Sequence, residues 1–320
     1  NKIVLLFHGY RSISENDLLL DGEGQNNGSK NYTDITVDKL TIEEDGASVY
    51  NCTIGTLTVN SENVTVFDNK LSKLILNGAN GKAYDNTITG ASLVGGISGS
   101  AGWSLSKAVA VSNFVKATGD GAGGIAGAVG WATISSSSVS SDSTGGDSAI
   151  YKVMANAKAG GIVGIMDGRV STTSDNASSA YIYAANGYAG GIVGYMDNLN
   201  TTSATNKMYI YRNIVAGSSI TSNGSHAGSI ASNSNKLPFD GHFYDNFIVA
   251  DVNTTGGDIS QFFIGNDDES STYASALRAI RVYEGSTYNG VPISSQTYPS
   301  NITKYNLSQL SDSTTFTQYL

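Results

Sequence analysis

Between residues 35 and 92 the hydrophobic positions follow two periods. The short one is alternation of apolar and polar residues, as in Gly55-Thr56-Leu57-Thr58-Val59 and Lys73-Leu74-Ile75-Leu76. A period of two marks a strand with one buried face. The long one is a returning phrase, seen at Tyr50-Asn51-Cys52-Thr53-Ile54, Phe67-Asp68-Asn69-Lys70-Leu71 and Tyr84-Asp85-Asn86-Thr87-Ile88. Its asparagines, Asn51, Asn69 and Asn86, lie 18 and 17 residues apart. Short strands recurring at that interval, with turn residues between them, predict one coil of a parallel β-solenoid per period. Stacked coils put like residues above like at about 4.8 Å. A column of Asn then hydrogen-bonds along the stack as an amide ladder.

A second phrase takes over downstream. It reads Gly95-Gly96-Ile97-Ser98-Gly99, Gly123-Gly124-Ile125-Ala126-Gly127, Gly160-Gly161-Ile162-Val163-Gly164 and Gly190-Gly191-Ile192-Val193-Gly194, with a worn copy at Ala227-Gly228-Ser229-Ile230. The spacings between copies are 28, 37, 30 and 37 residues, so the coils lengthen unevenly. The Asn phrase persists at Asn113, Asn213 and Asn246, which assigns both signals to one solenoid. In each glycine phrase Ile is expected inward and the glycines on the opposite face. Glycine in a strand marks a tight corner, or a face left flat for another layer, chain or ligand. The extra length, Ser135 to Ser148 and Ser171 to Ser179, is rich in Ser, Thr, Gly and Asp. It is expected to leave the wall as polar excursions, since insertions in repeat proteins gather on one face.

The ends differ from the middle. Residues 1–34 open with Lys2-Ile3-Val4-Leu5-Leu6-Phe7-His8, a strand apolar on both faces that suits a cap or an arm exchanged with a neighbouring subunit. Residues 35–256 form the expected solenoid. Residues 257–320 lose the glycine phrase and read as a C-terminal cap, with Ala274 to Ile280 a short helix or final strand and a turn at Tyr288-Asn289-Gly290-Val291-Pro292. The expected class is therefore all-β: a single-stranded, right-handed parallel β-helix with terminal caps.

Composition narrows the function. Of 320 residues only 14% are charged, with 38 glycines and 3 prolines, and Ser, Thr and Asn take the place of much charged surface. The formal charge is −9 without a basic stripe, which argues against nucleic acid. The longest apolar runs fall far short of the roughly 20 residues that cross a bilayer. Cys52 is the sole cysteine, so no intrachain disulfide exists, and its setting reads as a buried strand position. Asn1 begins the chain without a charged segment before an apolar stretch, as in a mature chain or internal fragment.

The glycine phrases, above all Gly190-Gly191-Ile192-Val193-Gly194-Tyr195, resemble the GLUG repeat of large bacterial and archaeal surface proteins, including adhesin-like proteins and non-catalytic parts of some IgA-cleaving metallopeptidases. The ending, with Leu307-Ser308-Gln309-Leu310 and Thr315-Phe316-Thr317, looks like the tail that often follows such repeats. The resemblance covers roughly residues 90–320. It implies a right-handed parallel β-helix and an extracellular, cell-surface location.

Candidate chemistry is sparse. His8, His226 and His242 have no Glu beside them, which rules out a His-Glu-x-x-His zinc peptidase in this segment. Gly119-Asp120-Gly121-Ala122-Gly123-Gly124 fits the dinucleotide fingerprint by letter but runs into a glycine phrase instead of a helix. No cofactor is expected. Asn266-Asp267-Asp268-Glu269 has oxygen ligands for Ca²⁺, and equally the composition of a solvated acidic turn. Asp167 and Asp197 follow their glycine phrases at one offset and stack on neighbouring coils. They read as turn residues, as a cation-binding pair or, in a polysaccharide-active enzyme, as an acid–base pair. Ten Asn-x-Ser/Thr sequons, at Asn27, Asn31, Asn51, Asn63, Asn176, Asn200, Asn223, Asn253, Asn301 and Asn306, are a mild excess over chance and mark glycosylation candidates. The leading expectation is a non-enzymatic, extracellular structural or adhesive surface protein, binding surface glycans or proteins and self-assembling through its terminal strands into homo-oligomers or polymers. The alternatives are a glycosidase or lyase of β-helix type, and a passive stalk of a larger surface protein.

Overall fold

The computed structural model describes residues 14–20 (backbone only), 31–77, 80–101, 105–106, 109–111, 113–130, 132–140, 152–167, 171–197, 208–224, 226–233, 241–255, 261–266, 277–298 and 300–311. The fold is all-β, and parallel pairing dominates. After β1 (Ser14–Leu20), the chain lays down β2 (Asn31–Thr33) and β3 (Thr36–Ile42), then β4 (Ser48–Tyr50) and β5 (Thr53–Val59). β6 (Thr65–Phe67), β7 (Lys70–Leu76), β8 (Lys82–Tyr84) and β9 (Thr87–Gly90) follow. Each strand pairs in parallel with the one a period later, so that Tyr32 stands over Val49 and Val66, and Val37 over Ile54 and Leu71. One pair of strands with its corners makes one rung.

In-register stacking turns the alternation into columns. Val37, Ile54, Leu71, Ile88, Val115, Val153, Ile182, Ile220, Val252 and Tyr288 form one unbroken column through the stack. All ten are buried. Full burial of such an aliphatic side chain stabilises by roughly 1.5–3 kcal/mol, and from Val37 to Val252 aliphatic residues follow one another along the column. Leu40, Leu57 and Leu74 form a second column within the first rungs.

The expected amide ladder exists, in two pieces at two corners. Asn69 and Asn86 each donate backbone N and side-chain Nδ2 to the Oδ1 of the next ladder residue, Asn86 or Asn113, at 2.8–3.1 Å. The second ladder runs from Ser137 through Asn176 and Asn213 to Asn246, with bonds of 3.0–3.1 Å. The register of the first ladder corrects the sequence alignment. Cys52, not Asn51, sits in the ladder slot: Cys52 N donates to Asn69 Oδ1 at 2.9 Å, and Sγ accepts from Ile35 N at 3.4 Å. Asn51 instead shares the preceding corner position with Asp34, Asp68 and Asp85, all four at φ of 50–59°. Short polar side chains tolerate that left-handed turn.

From residue 91 each rung gains an arm. The strands Val94–Gly95, Gly121–Gly123, Lys158–Gly160, Tyr188–Gly190 and His226–Gly228 stack as a five-stranded parallel sheet. The glycine phrases therefore stand in register, Gly95 over Gly123, Gly160, Gly190 and Gly228, despite their uneven spacing in sequence. Ile97, Ile125, Ile162, Ile192 and Ile230 point inward and are buried. The glycine face is not open to a ligand: the chain's own backbone fills it. A Cβ on Gly160 would lie 1.9 Å from Val163 O and 2.4 Å from Gly194 N.

A further expectation changes. Ser171 to Ser179 is no excursion, because Ser171–Ser174 and Ala177–Ser178 are strands of the stack, with Ser171, Thr173, Ser174, Asn176 and Ser178 buried. Thr173 takes a place in the column Ile134, Thr173, Ile210, Phe243, Leu277, where neighbours above and below exclude water. Toward the two ends, β1 pairs in parallel with β3, and Phe247–Thr254 pairs in parallel with Ile280–Tyr283. The Asn289-Gly290 turn joins Thr287–Tyr288 to Val291–Pro292 as an antiparallel hairpin, with both turn residues at positive φ. The strand expected at residues 2–8 lies outside the described residues.

Candidate functional site

The structure contains a concave groove of about 460 Å³ on the outer wall of the first four rungs. Its origin is a bend in the long strands. Val37 and Leu40 are buried while Asp38 and Lys39 between them are exposed, and the same break in alternation recurs at Gly55-Thr56 and Ser72-Lys73. Two outward residues in succession turn the chain and leave a furrow parallel to the stack. Gly55 allows the close approach of the two rungs at this bend, since a Cβ there would lie 2.4 Å from Asp38 O. Hydroxyls of Thr36, Thr53, Ser72, Thr87 and Thr89 line it, with Asp38 and Lys70 as its charged groups.

The groove continues as a row of outward side chains. In register with Thr36, Thr53, Lys70 and Thr87 stand Phe114, Lys152 and Tyr181. Beside them run Thr89, Lys116, Met154 and Tyr183. Hydroxyl, cation and aromatic ring thus follow one another at the rung spacing of about 4.8 Å. Such a surface offers hydrogen bonds, charge and stacking to an extended ligand.

A second cluster lies on the later rungs. Tyr211 stacks on Tyr244 at 4.6 Å and Tyr209 on His242 at 5.1 Å. Arg212 lies 4.7 Å over the Tyr211 ring and bonds Asp175 through two nitrogens at 2.6 and 2.8 Å. The Arg212 guanidinium holds the Asp175 carboxyl below its usual range. These rings stack on one another along the wall, and the cluster ties rungs together.

The remaining candidates scatter. The register pairs Asp167 with Asp197 on adjacent strands, outside the groove. His226 packs on Tyr188 at 5.8 Å and His242 on Tyr209, on separate strands of the stack. Asp267, Asp268 and Glu269 lie outside the described residues, as do Asn27 and Asn200. Asn176 must be withdrawn as a glycosylation candidate. It is 1% exposed, and its Nδ2 donates to Ile134 O and Asn213 Oδ1, both at 3.0 Å. Asn31, Asn51, Asn63 and Asn223 are exposed, whereas Asn253, Asn301 and Asn306 are half-buried. Asn51 donates to Asp34 Oδ1, Asn223 to Tyr183 Oη and Asn301 to Leu277 O. Asn306 Oδ1 caps the helix Leu307–Ser311 by accepting from Gln309 N at 2.9 Å. Asn63 offers Oδ1 to Asn80 at a left-handed corner.

The groove was missed in the sequence, although a signal was present. Val37 to Leu40, Ile54 to Leu57 and Leu71 to Leu74 are each three apart, which breaks the period of two at one position per rung.

No family model matches the chain, and no curated protein matches it. Among solved structures it is similar to a candidate immunoglobulin A1 protease from Bacteroides ovatus, at 13% identity and a TM-score of 0.38, over 96% of this chain and 81% of that one. At that TM-score the likeness carries no argument about activity. No helix among the described residues is long and apolar enough to cross a membrane.

Proposed function

We propose that the chain is a non-catalytic surface scaffold: a right-handed parallel β-helix, outside the cell, that presents its long wall to surface polymers. The observation that carries this reading is where the repeated residues go. Asn ladders and glycine arms, the most regular features of the chain, are buried against the chain's own backbone, and they hold the stack together. What is left outward along the first rungs is a furrow of hydroxyls. GLUG-like surface proteins are the class to which the in-register glycine arms fit. Self-assembly through the terminal strands belongs to the same reading: β1 pairs in parallel with β3, and the edge of a parallel sheet is a template for a second chain. Exposed sequons such as Asn63 would carry glycans where the source modifies asparagine.

The test is made on purified protein and on intact cells. Negative-stain microscopy should show end-to-end association, and labelled protein should adhere to cell surfaces. A strictly monomeric protein that adheres to no cell, glycan or protein would sink the proposal.

A further inference from the structure

We infer that the groove and the row continuing it form a track for a linear, carboxylate-bearing polysaccharide lying along the stack axis. This deepens the surface-scaffold reading and rests on it. The geometry comes first. From Thr36 to Tyr181 the track crosses seven stacked positions, or six steps of about 4.8 Å, roughly 29 Å in all. It is unbroken, because every step is an in-register parallel pair. A compact ligand would fill one furrow, whereas an unbroken row of groups at a regular spacing suits a repeated ligand. An extended pyranose chain advances by nearly one rung per sugar.

The charge comes second. The chain as a whole carries −9, yet the track holds Lys70, Lys116 and Lys152, with Lys39 and Lys73 next to the bend. Lys70 and Lys116 are exposed, and no ion pair ties Lys70, Lys73, Lys116 or Lys152 to another described residue. Asp38 is the one carboxylate lining the groove. The corner residues Asp34, Asp68 and Asp85 border the track two positions upstream and repel an anion from that side, which confines it to the bend. Lys70 and Lys116 are two rungs apart, about 10 Å along the axis, so they meet carboxylates on alternate sugars.

The chemistry comes third. Thr36, Thr53, Ser72, Thr87 and Thr89 each both donate and accept, as sugar hydroxyls require. Phe114, Tyr181 and Tyr183, half-buried at the far end, offer apolar surface to the C–H faces of pyranose rings. A polypeptide polyanion has no use for that combination of hydroxyl row and rings.

The experiment is direct binding of fluorescein-labelled polyuronate oligomers to the full chain, measured by fluorescence anisotropy. Carboxyl-reduced oligomers and poly-glutamate of matched length serve as the other two probes. The expected result is binding of the polyuronate that weakens with salt and falls about tenfold or more in the Lys70→Gln/Lys116→Gln variant. Tyr183→Ala should weaken it as well. Circular dichroism of each variant shows whether the stack remains intact, and the exposed Lys70→Gln/Lys116→Gln pair should leave it unchanged. Equal binding of the carboxyl-reduced oligomers overturns the role of the lysines, and equal binding of poly-glutamate overturns the sugar. No binding of polyuronate overturns the track altogether. If the chain still adheres to cells in that last case, the surface-scaffold reading stands and this inference alone has failed.

Discussion

The first rungs and the glycine-armed rungs close the same kind of stack by different means. In residues 31–90 each rung is two strands, repeats strictly at 17 residues and fills its interior with Leu, Ile and Val. In residues 94–266 a rung adds an arm in which backbone packs on backbone, and repeat length varies in sequence although the arms and the strands between them stay in register. Side-chain packing tolerates small changes of shape, since rotamers adjust. Backbone packing has no such freedom. The later rungs should therefore be sensitive where the first are forgiving, and equal sensitivity is expected at the hydrogen-bond corners, which the two regions share.

The largest contrast is expected at glycine. Gly160→Ala puts a Cβ 1.9 Å from Val163 O and 2.4 Å from Gly194 N, and neither atom belongs to a flexible side chain. Loss of at least ~4 kcal/mol, or failure to fold, is expected in urea titration. Gly46→Ala in the first rungs meets nothing within 4 Å and carries only the strain of φ +71°, about 1 kcal/mol. Equal losses at the two sites would break the comparison.

Next in size is the ladder. Asn213→Ala leaves Asn176 N and Nδ2 without the Oδ1 they donate to, and Thr173 O without its donor at 3.0 Å. At roughly 1–3 kcal/mol for each buried orphan, a loss of about 3 kcal/mol or more is expected. Asn86→Ala, in the first ladder, should cost the same within error, because it removes the same set of bonds. A large difference would mean that the corners are not equivalent after all.

Much of this was legible in advance, and what was not has physical causes. The 17-residue period exposed the strands and the ladder, since in-register stacking forces equal spacing on residues that must meet. Cys52 was misplaced by a letter. Asn51 resembled Asn69, but only burial distinguishes the ladder slot from the left-handed corner next to it, and the thiol Sγ takes the acceptor role of Oδ1 there. The Ser and Thr of residues 171–178 were read as surface because their polarity is local, whereas their burial is decided by Ile134, Ile210 and Phe243 on other rungs. The groove depended on a bend that a count of apolar residues does not see.

That buried Thr173 offers a gain. Its Oγ1 is enclosed in an aliphatic column without a hydrogen-bond partner. Thr173→Val keeps the branched shape and removes the buried hydroxyl, for an expected stabilisation of about 1 kcal/mol. Destabilisation in thermal melts would show that the hydroxyl has a partner at that position. Smaller still is Arg212→Gln. The pair with Asp175 is about half exposed, so a cost of roughly 0.5 kcal/mol or less is expected, vanishing in molar salt. Asp175 has a depressed carboxyl, so that contribution is present above the ordinary carboxylate range and fades as the pH falls through the depressed value.

The smallest effect at neutral pH belongs to the first rungs and appears only in alkali. Burial raises the Cys52 thiol above its ordinary value, and the bond it accepts from Ile35 N opposes this without cancelling it. The unfolded chain ionises its thiol near pH 8.5, while the folded chain still holds the proton. A group with a raised folded value contributes its stability in full below the unfolded value and loses it as the pH climbs toward the folded one. Tyr32 acts in the same sense, raised by burial and by its bond to Glu44 at 2.7 Å, from about pH 10 upward. Stability in urea should thus be flat from pH 7 to 8 and decline above pH 9. Cys52→Ala should flatten the first part of that decline and leave the stability at pH 7 only modestly lower. If wild type and variant decline together from pH 8.5, the first part of the alkaline decline does not come from the Cys52 thiol.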